Sequence, residues 1–296
     1  MKRLINWKFC GLRRHIITLL AFLLLMLQLP AAAIAAPAET EIVPAVTAEA
    51  AVVMNLDTGE VLYGKKEHER RPPASLTKVM TGYLLVKQMD LQKPVTVSEQ
   101  ASQTGESSLH LKTGDVLTAE NLLHGALLKS ANDACVALAE DMAGSEEQFA
   151  QWMNLQACLL GCSNTRFVNA SGLPAEHHYS SAYDLAVMTR AAMQEDVFAD
   201  IVQTQQYRVT WTDNRQLLVR NTNRLLREYP GAIGVKTGTT SEAGQCLIAV
   251  AEKEGKRIAV VVLKSRNRFY DAVQLLDYGL SAGPKSGILN SRSINN

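Results

Sequence analysis

An α/β (α+β) fold, in which an antiparallel sheet is flanked by helices and an all-helical lobe is set between its strands, is the architecture this sequence predicts. Two observations predict it. Segments rich in β-branched residues stand near both ends, "AAVVMNLDTGEVLYGKK" early and "GAIGVKTG", "QCLIAVAE" and "RIAVVVLKS" late. Between them, apolar residues recur at helical spacing. Strands at both ends around a helical middle make one sheet from both termini.

The elements follow in chain order. Residues 1–36 carry Lys2, Arg3, Lys8, Arg13 and Arg14 without an acidic residue, then an apolar run from Ile16 to Leu29 and "PAAAIAA". These are the three parts of a secretory signal peptide, with cleavage expected near Ala35 or Ala36. The alternative is an uncleaved anchor, for which the run is short against the ~20 residues a span needs. Either way the protein is exported. Its removal leaves 25 basic against 29 acidic residues, a net of −4, which offers no electrostatic footprint for nucleic acid.

Residues 37–48 form an extended leader, and residues 49–280 form the folded domain. A hairpin is expected around Asp57-Thr58-Gly59. Pro72 and Pro73 suit the first turn of a helix whose Leu76, Val79, Met80, Leu84 and Leu85 share a face. A second helix starts near Thr118 and reaches "KSAND"; a third runs on to Gly144. Ser145 with Gln148, and Ser181 with Asp184, mark two further starts. After Asp200, "IVQTQQYRVTW" reads as a strand, followed by the three late strands, the last two joined by "KEGK". A helix over about 268–280 closes the domain, and residues 281–296 are a polar tail.

Cys135, Cys158, Cys162 and Cys246 read as small buried hydrophobes rather than disulfide partners, and Cys10 lies in the signal. His177 and His178 follow Glu176 without metal-ligand spacing, so "EHH" reads as a polar loop and no metal or cofactor is expected.

The chemistry starts at Ser75 and Lys78, three apart on one helical face and the one Ser-x-x-Lys in the chain. A serine hydroxyl needs a base within hydrogen-bond reach. A lysine serves only when burial or a second cation lowers its pKa from about 10.4. Ser130-Ala131-Asn132 falls at a junction of two helices, where a hydroxyl and an amide can be aimed into a cleft, although capping explains the same residues.

Lys-Thr-Gly occurs twice. Lys112-Thr113-Gly114 precedes Asp115 in a polar turn. Lys236-Thr237-Gly238 lies on a strand prolonged by Thr239 and Thr240, where backbone N–H groups can meet a carbonyl and Gly238 lets a substrate lie close. The second copy is the functional one in this reading.

The order Ser-x-x-Lys, Ser-x-Asn, Lys-Thr-Gly resembles the penicillin-binding protein and serine β-lactamase superfamily. "PPASLTKVMTGYLL", "LLKSANDACVALAE", "FVNASGLP", "NTNRLL" and "GVKTGTTSEAGQCLIAVA" look most like its low-molecular-mass D-alanyl-D-alanine carboxypeptidases, peptidase family S11. The resemblance implies a β-lactamase/transpeptidase-like fold with the active site between sheet and lobe. It implies that Ser75 attacks the carbonyl between the last two D-alanines of a peptidoglycan stem peptide and that Lys78 takes its proton. Ser130 would relay a proton to the departing D-alanine, and Asn132 would hold the substrate amide and Lys78. Lys236 would contribute positive charge, Thr237 and Arg268 would bind the terminal carboxylate, and the N–H groups of Ser75 and Thr239 would form the oxyanion hole. β-Lactams would be covalent inhibitors.

A serine β-lactamase is the nearest rival, but no Glu-x-x-Leu-Asn string is present, and Ser-Ala-Asn in place of Ser-Asp-Asn leans toward the carboxypeptidases. A non-catalytic wall-binding protein would not need all three motifs. Many relatives add a β-rich domain and an amphipathic helix, and "SAGPKSGILNSRSINN" offers neither. Membrane association is therefore expected only through an uncleaved signal segment.

Overall fold

The computed structural model describes residues 44–281, so the signal segment and the polar tail lie outside the described residues. Strands β1 (Ala50–Asn55) and β2 (Val61–Lys65) form the first hairpin, where the Asn55 side chain accepts the N–H groups of Asp57 and Thr58 at 2.9 and 3.2 Å. A 3₁₀ turn (Ala74–Thr77) leads into α1 (Lys78–Gln88). Next come β3 (Pro94–Thr96), α2 (Glu99–Gln103), β4 (Val116–Thr118) and α3 (Ala119–His124), whose last turn widens into a π-helical segment, Gly125–Lys129.

Helices α4 (Asn132–Ala143), α5 (Glu146–Leu159), α6 (Ala182–Ala192) and α7 (Asp196–Gln203) complete the helical region. The two capping signatures are real: Ser145 Oγ accepts the Gln148 N–H, and Ser181 Oγ accepts that of Asp184, both at 3.1 Å. Strands β5 (Gln206–Thr210) and β6 (Gln216–Arg220) make a separate hairpin, followed by the short α8 (Leu225–Glu228). Strands β7 (Ala232–Thr240), β8 (Gly244–Lys253) and β9 (Lys256–Ser265) precede α9 (Arg268–Ser281).

The main sheet has the order β2-β1-β9-β8-β7 with antiparallel neighbours, so both ends of the domain do build one sheet. Both faces are covered, which explains the almost unbroken apolar runs in β1, β8 and β9. Val52, Met54, Ile248, Val250, Ala259 and Val261 enter the core shared with the helices. Their neighbours Ala51, Val53, Leu247, Ala249, Val260 and Val262 meet Leu275 and Leu276 of α9. A one-residue slip of any of these strands would exchange the two sets. The end of the leader is tied in as well: the N–H groups of Thr47 and Ala48 reach the fully buried Asp271 carboxylate at 3.0 and 2.8 Å.

Three sequence expectations need correction. Ile201 and Val202 belong to α7, not to a strand, because with Phe198 they fill one buried helical stripe; the strand starts only at Gln206. Cys158 is exposed, on the outer face of α5, whereas Cys135, Cys162 and Cys246 are buried; all four are free thiols. Glu176 and His177 do stand in an exposed turn, but His178, next in the same loop, is buried.

Candidate active site

Strand β7 is a sheet edge, and its free side lies against the 3₁₀ turn that carries Ser75. A side chain added at Gly238 would bring its Cβ within 3.1 Å of the Ser75 nitrogen and 3.2 Å of the Pro73 carbonyl oxygen. Sequence-distant motifs are thereby brought together.

Ser75 ends up in the 3₁₀ turn and Lys78 at the start of α1, and the one-turn spacing sets the Lys78 Nζ 3.0 Å from the Ser75 Oγ. Lys78 has no exposed surface. Its Nζ also donates to the Asn132 Oδ1 at 2.7 Å and to the Ser171 carbonyl at 2.6 Å. Burial pushes the ammonium below its ordinary range. Asn132 is oriented by its other end, since its Nδ2 donates to the Gly105 carbonyl at 3.1 Å. Only the amide oxygen can then face Lys78.

Ser130 is placed by the widened helix end. The π-helical segment stops at Ser130, whose backbone is left-handed at φ 70° and ψ 30°, a conformation uncommon outside glycine and frequent at functional sites. Its hydroxyl has no hydrogen-bond partner among the described residues. The next helix begins two residues later with Asn132, and the buried Asp133 fastens the neighbouring loop by accepting the N–H groups of Leu109 and Leu111 at 3.0 and 3.1 Å.

Lys236 is 1 % exposed, and its Nζ donates to the Thr237 carbonyl at 2.9 Å. Burial first, then the charges of Lys78 and Arg268, push it well below the usual lysine range. The Thr237 hydroxyl lies 2.7 Å from that of Thr222. Arg268, at the start of α9, reaches across β8 to the same edge. Its Nη1 donates to the Thr239 Oγ1 at 2.7 Å and the Gly238 carbonyl at 3.0 Å. That nitrogen is spent on shaping the strand. The Nε is buried with no acceptor. The guanidinium lies 5.1 Å from the Phe269 ring centre.

Lys78 thus joins Ser75 and Asn132, and Gly238 packs on the Ser75 backbone. Arg268 bonds Gly238 and Thr239, Lys236 and Thr237 lie on the same strand, and Ser130 stands two residues before Asn132. Three contributors escaped sequence reasoning. Ser171 acts through a backbone carbonyl, which leaves no side-chain signature. Thr222 stands inside "NTNRLL", where nothing local distinguishes it. His178 looked like a loop residue beside His177, yet its Nδ1 accepts the Val168 N–H at 3.0 Å. The neutral ring therefore carries its proton on Nε2 and donates to the Thr77 Oγ1 at 2.9 Å, which donates to the Ala74 carbonyl at 2.8 Å. Burial, with the Lys78 charge adding to it, pushes His178 down to about 4. Among the described residues no group of three or more His, Cys, Asp or Glu is arranged to hold a metal.

A serine and a buried lysine at a helix start, facing the edge strand of an antiparallel sheet with a Ser-x-Asn junction beside it, define a β-lactamase/transpeptidase-like serine enzyme. The chain matches the D-alanyl-D-alanine carboxypeptidase family, peptidase family S11, over residues 37–267, and it belongs to that family. It is 40% identical over 242 residues to the D-alanyl-D-alanine carboxypeptidase DacF of Bacillus subtilis, covering 79% of this chain and 62% of the relative. It is 34% identical over 260 residues to DacB2 of Mycobacterium tuberculosis, covering 85% of this chain and 89% of that protein. The chain thus spans less than two thirds of DacF and most of DacB2. Among solved structures, a Streptomyces DD-transpeptidase superposes with a TM-score of 0.77 at 33% identity, over 81% of this chain and 99% of that one.

Proposed function

We propose that this protein is an exported serine-type D-Ala-D-Ala carboxypeptidase that removes the terminal D-alanine from peptidoglycan stem peptides through an acyl-enzyme, and that β-lactams acylate the same serine. The observation that carries the reading is the set of partners around the Lys78 Nζ. Two of its three neighbours, the Asn132 Oδ1 and the Ser171 carbonyl, can only accept. A neutral amine gives its two protons to them and turns its lone pair to the third, the Ser75 Oγ at 3.0 Å. Burial favours that neutral form. The lysine is set up as a base toward one hydroxyl.

In the proposed reaction Ser75 Oγ forms a bond to the scissile carbonyl carbon as Lys78 takes its proton. The N–H groups of Ser75 and Thr239 receive the developing oxyanion. The C–N bond then breaks, and Ser130 relays the proton held by Lys78 to the departing D-alanine nitrogen. Asn132 holds the substrate amide. Lys236 supplies positive charge, Gly238 admits the substrate backbone, and Thr237 binds the terminal carboxylate together with the remaining donors of Arg268. Water adds to the ester and frees Ser75.

The test is D-alanine release from an N-acylated peptide ending in D-Ala-D-Ala. The parent should release it, and Ser75→Ala should lower turnover by at least a thousand-fold, in line with loss of an activated nucleophile. Release that survives in Ser75→Ala would overturn the assignment.

A further inference from the structure

The segment Asn221-Thr222-Asn223 ties together three walls of the cleft, and its middle residue has no role in the reaction above. The Asn221 Nδ2 donates to the carbonyls of Val202 and Thr204, at the end of α7, at 3.1 Å each. The Asn223 Nδ2 donates to the Gly234 carbonyl in β7 at 2.8 Å. The Thr222 N–H donates to the Leu128 carbonyl, two residues before Ser130, at 3.1 Å. Asn221 and Asn223 are buried, and Thr222 between them is exposed. The backbone at 222 is therefore held by its neighbours and by its own N–H, not by its side chain. Among the described residues, the Thr222 hydroxyl has one hydrogen-bond partner, the Thr237 hydroxyl at 2.7 Å.

Thr237 is 5 % exposed, and its hydroxyl in turn has only Thr222 as a partner among the described residues. Each hydroxyl owns one proton. If Thr237 donates to Thr222, it turns a lone pair toward the cleft and repels an anion. If Thr222 donates to Thr237, the Thr237 proton is free for an incoming carboxylate. Cations also stand at this end of the cleft: Arg268 donates to Thr239 Oγ1 at 2.7 Å, and Lys236 is next to Thr237.

We infer that Thr222 is a positioning residue for the substrate's terminal carboxylate: by donating to Thr237 it aims that hydroxyl's proton at the anion. The inference rests on the reading of Thr237 as a carboxylate-binding residue, and the experiment separates the two. Thr222→Val, Thr222→Ser and Thr237→Val are made in the full chain. Each is assayed on an N-acylated peptide ending in D-Ala-D-Ala and on the same peptide with its carboxylate amidated.

Loss of one neutral hydrogen bond is worth about two- to ten-fold. Thr222→Val should lower kcat/KM on the free acid by that factor, mainly through KM, and leave the amide unchanged. Thr222→Ser should restore the parent value, and the melting temperature of all three Thr222 forms should agree. A selective loss in Thr237→Val with none in Thr222→Val overturns the inference alone, as do equal losses of Thr222→Val on both peptides. No selective loss in Thr237→Val overturns the carboxylate reading, and the inference falls with it.

Discussion

The two Lys-Thr-Gly tripeptides share three residues and no surroundings. Lys112, Thr113 and Gly114 are exposed and close a turn in which the Asp115 N–H donates to the Lys112 carbonyl at 2.9 Å. The Asp115 carboxylate accepts the Lys112 N–H at 3.0 Å and the Trp211 ring N–H at 2.9 Å. Lys236, Thr237 and Gly238 are buried on the edge strand beside Ser75. The glycines serve opposite ends. Gly114 has φ +83° with nothing within 4 Å of where a Cβ would stand, so it is needed for its backbone angle. Gly238 has ordinary strand geometry and a crowded flank, so it is needed for its missing side chain. A motif acquires chemistry from what packs against it.

The largest contrast should come from the glycines. Gly238→Ala would place a methyl 3.1 Å from the Ser75 nitrogen and 3.2 Å from the Pro73 carbonyl oxygen. A displacement of the nucleophile or the strand by a few tenths of an ångström to 1 Å costs about a hundred-fold. Penicillin acylation by Gly238→Ala should therefore fall by roughly that factor, with the fold retained by circular dichroism. Acylation near the parent rate would mean that the strand edge does not line the reacting site.

A pH contrast should come next, because Asp115 fastens the turn of the first copy, whereas His178 fastens, through Thr77, the Ser75 turn beside the second. His178 beside the cleft is lowered from its ordinary 6.5 to about 4. The unfolded chain takes up this proton first, so the His178 contribution is whole above pH 6.5 and is lost as pH falls toward about 4. The shift corresponds to roughly 3 kcal/mol. Asp115 under the turn is also lowered: burial opposes the shift, and the Arg215, Lys112 and Trp211 donors outweigh it. Its contribution is lost only as pH falls below the ordinary carboxylate value of 3.8. Denaturant unfolding from pH 7 to 4.5 should show the loss in the parent and a much flatter profile in His178→Gln. Identical slopes in the two proteins would remove His178 from the account.

Gly114→Ala should show the smallest effect. A left-handed alanine costs about 1–2 kcal/mol, so the melting temperature should drop by a few degrees while acylation stays within two-fold of the parent. A large loss of acylation would tie the exposed turn to the chemistry.

What the sequence disclosed follows from the same contrast. Side-chain chemistry at fixed spacing was legible, which is why Ser75, Lys78, Ser130, Asn132 and the β7 tripeptide could be named before their geometry was known. The late strands were legible because two covered faces demand continuous apolar runs. Ile201 and Val202 misled because β-branched residues favour strands locally, while Phe198 and the core behind it enforce a helix. The burial of His178 and the Lys78 contact of Ser171 were not legible, since one depends on long-range packing and the other on a backbone oxygen. The bonds of Arg268 to Gly238 and Thr239 come from an α9 that reaches over β8, a relation no local pattern encodes.

The central claim, that position beside Ser75 and not the tripeptide itself selects the working copy, is tested most directly by mapping a penicillin adduct. Parent, Lys112→Ala and Lys236→Ala proteins are treated with benzylpenicillin, digested and read by mass spectrometry. The account predicts an ester on Ser75 in the parent, forming at a rate within a few-fold of the parent's in Lys112→Ala and slowed by about a hundred-fold or more in Lys236→Ala. An adduct on another residue, or equal losses from the two lysine changes, would contradict it.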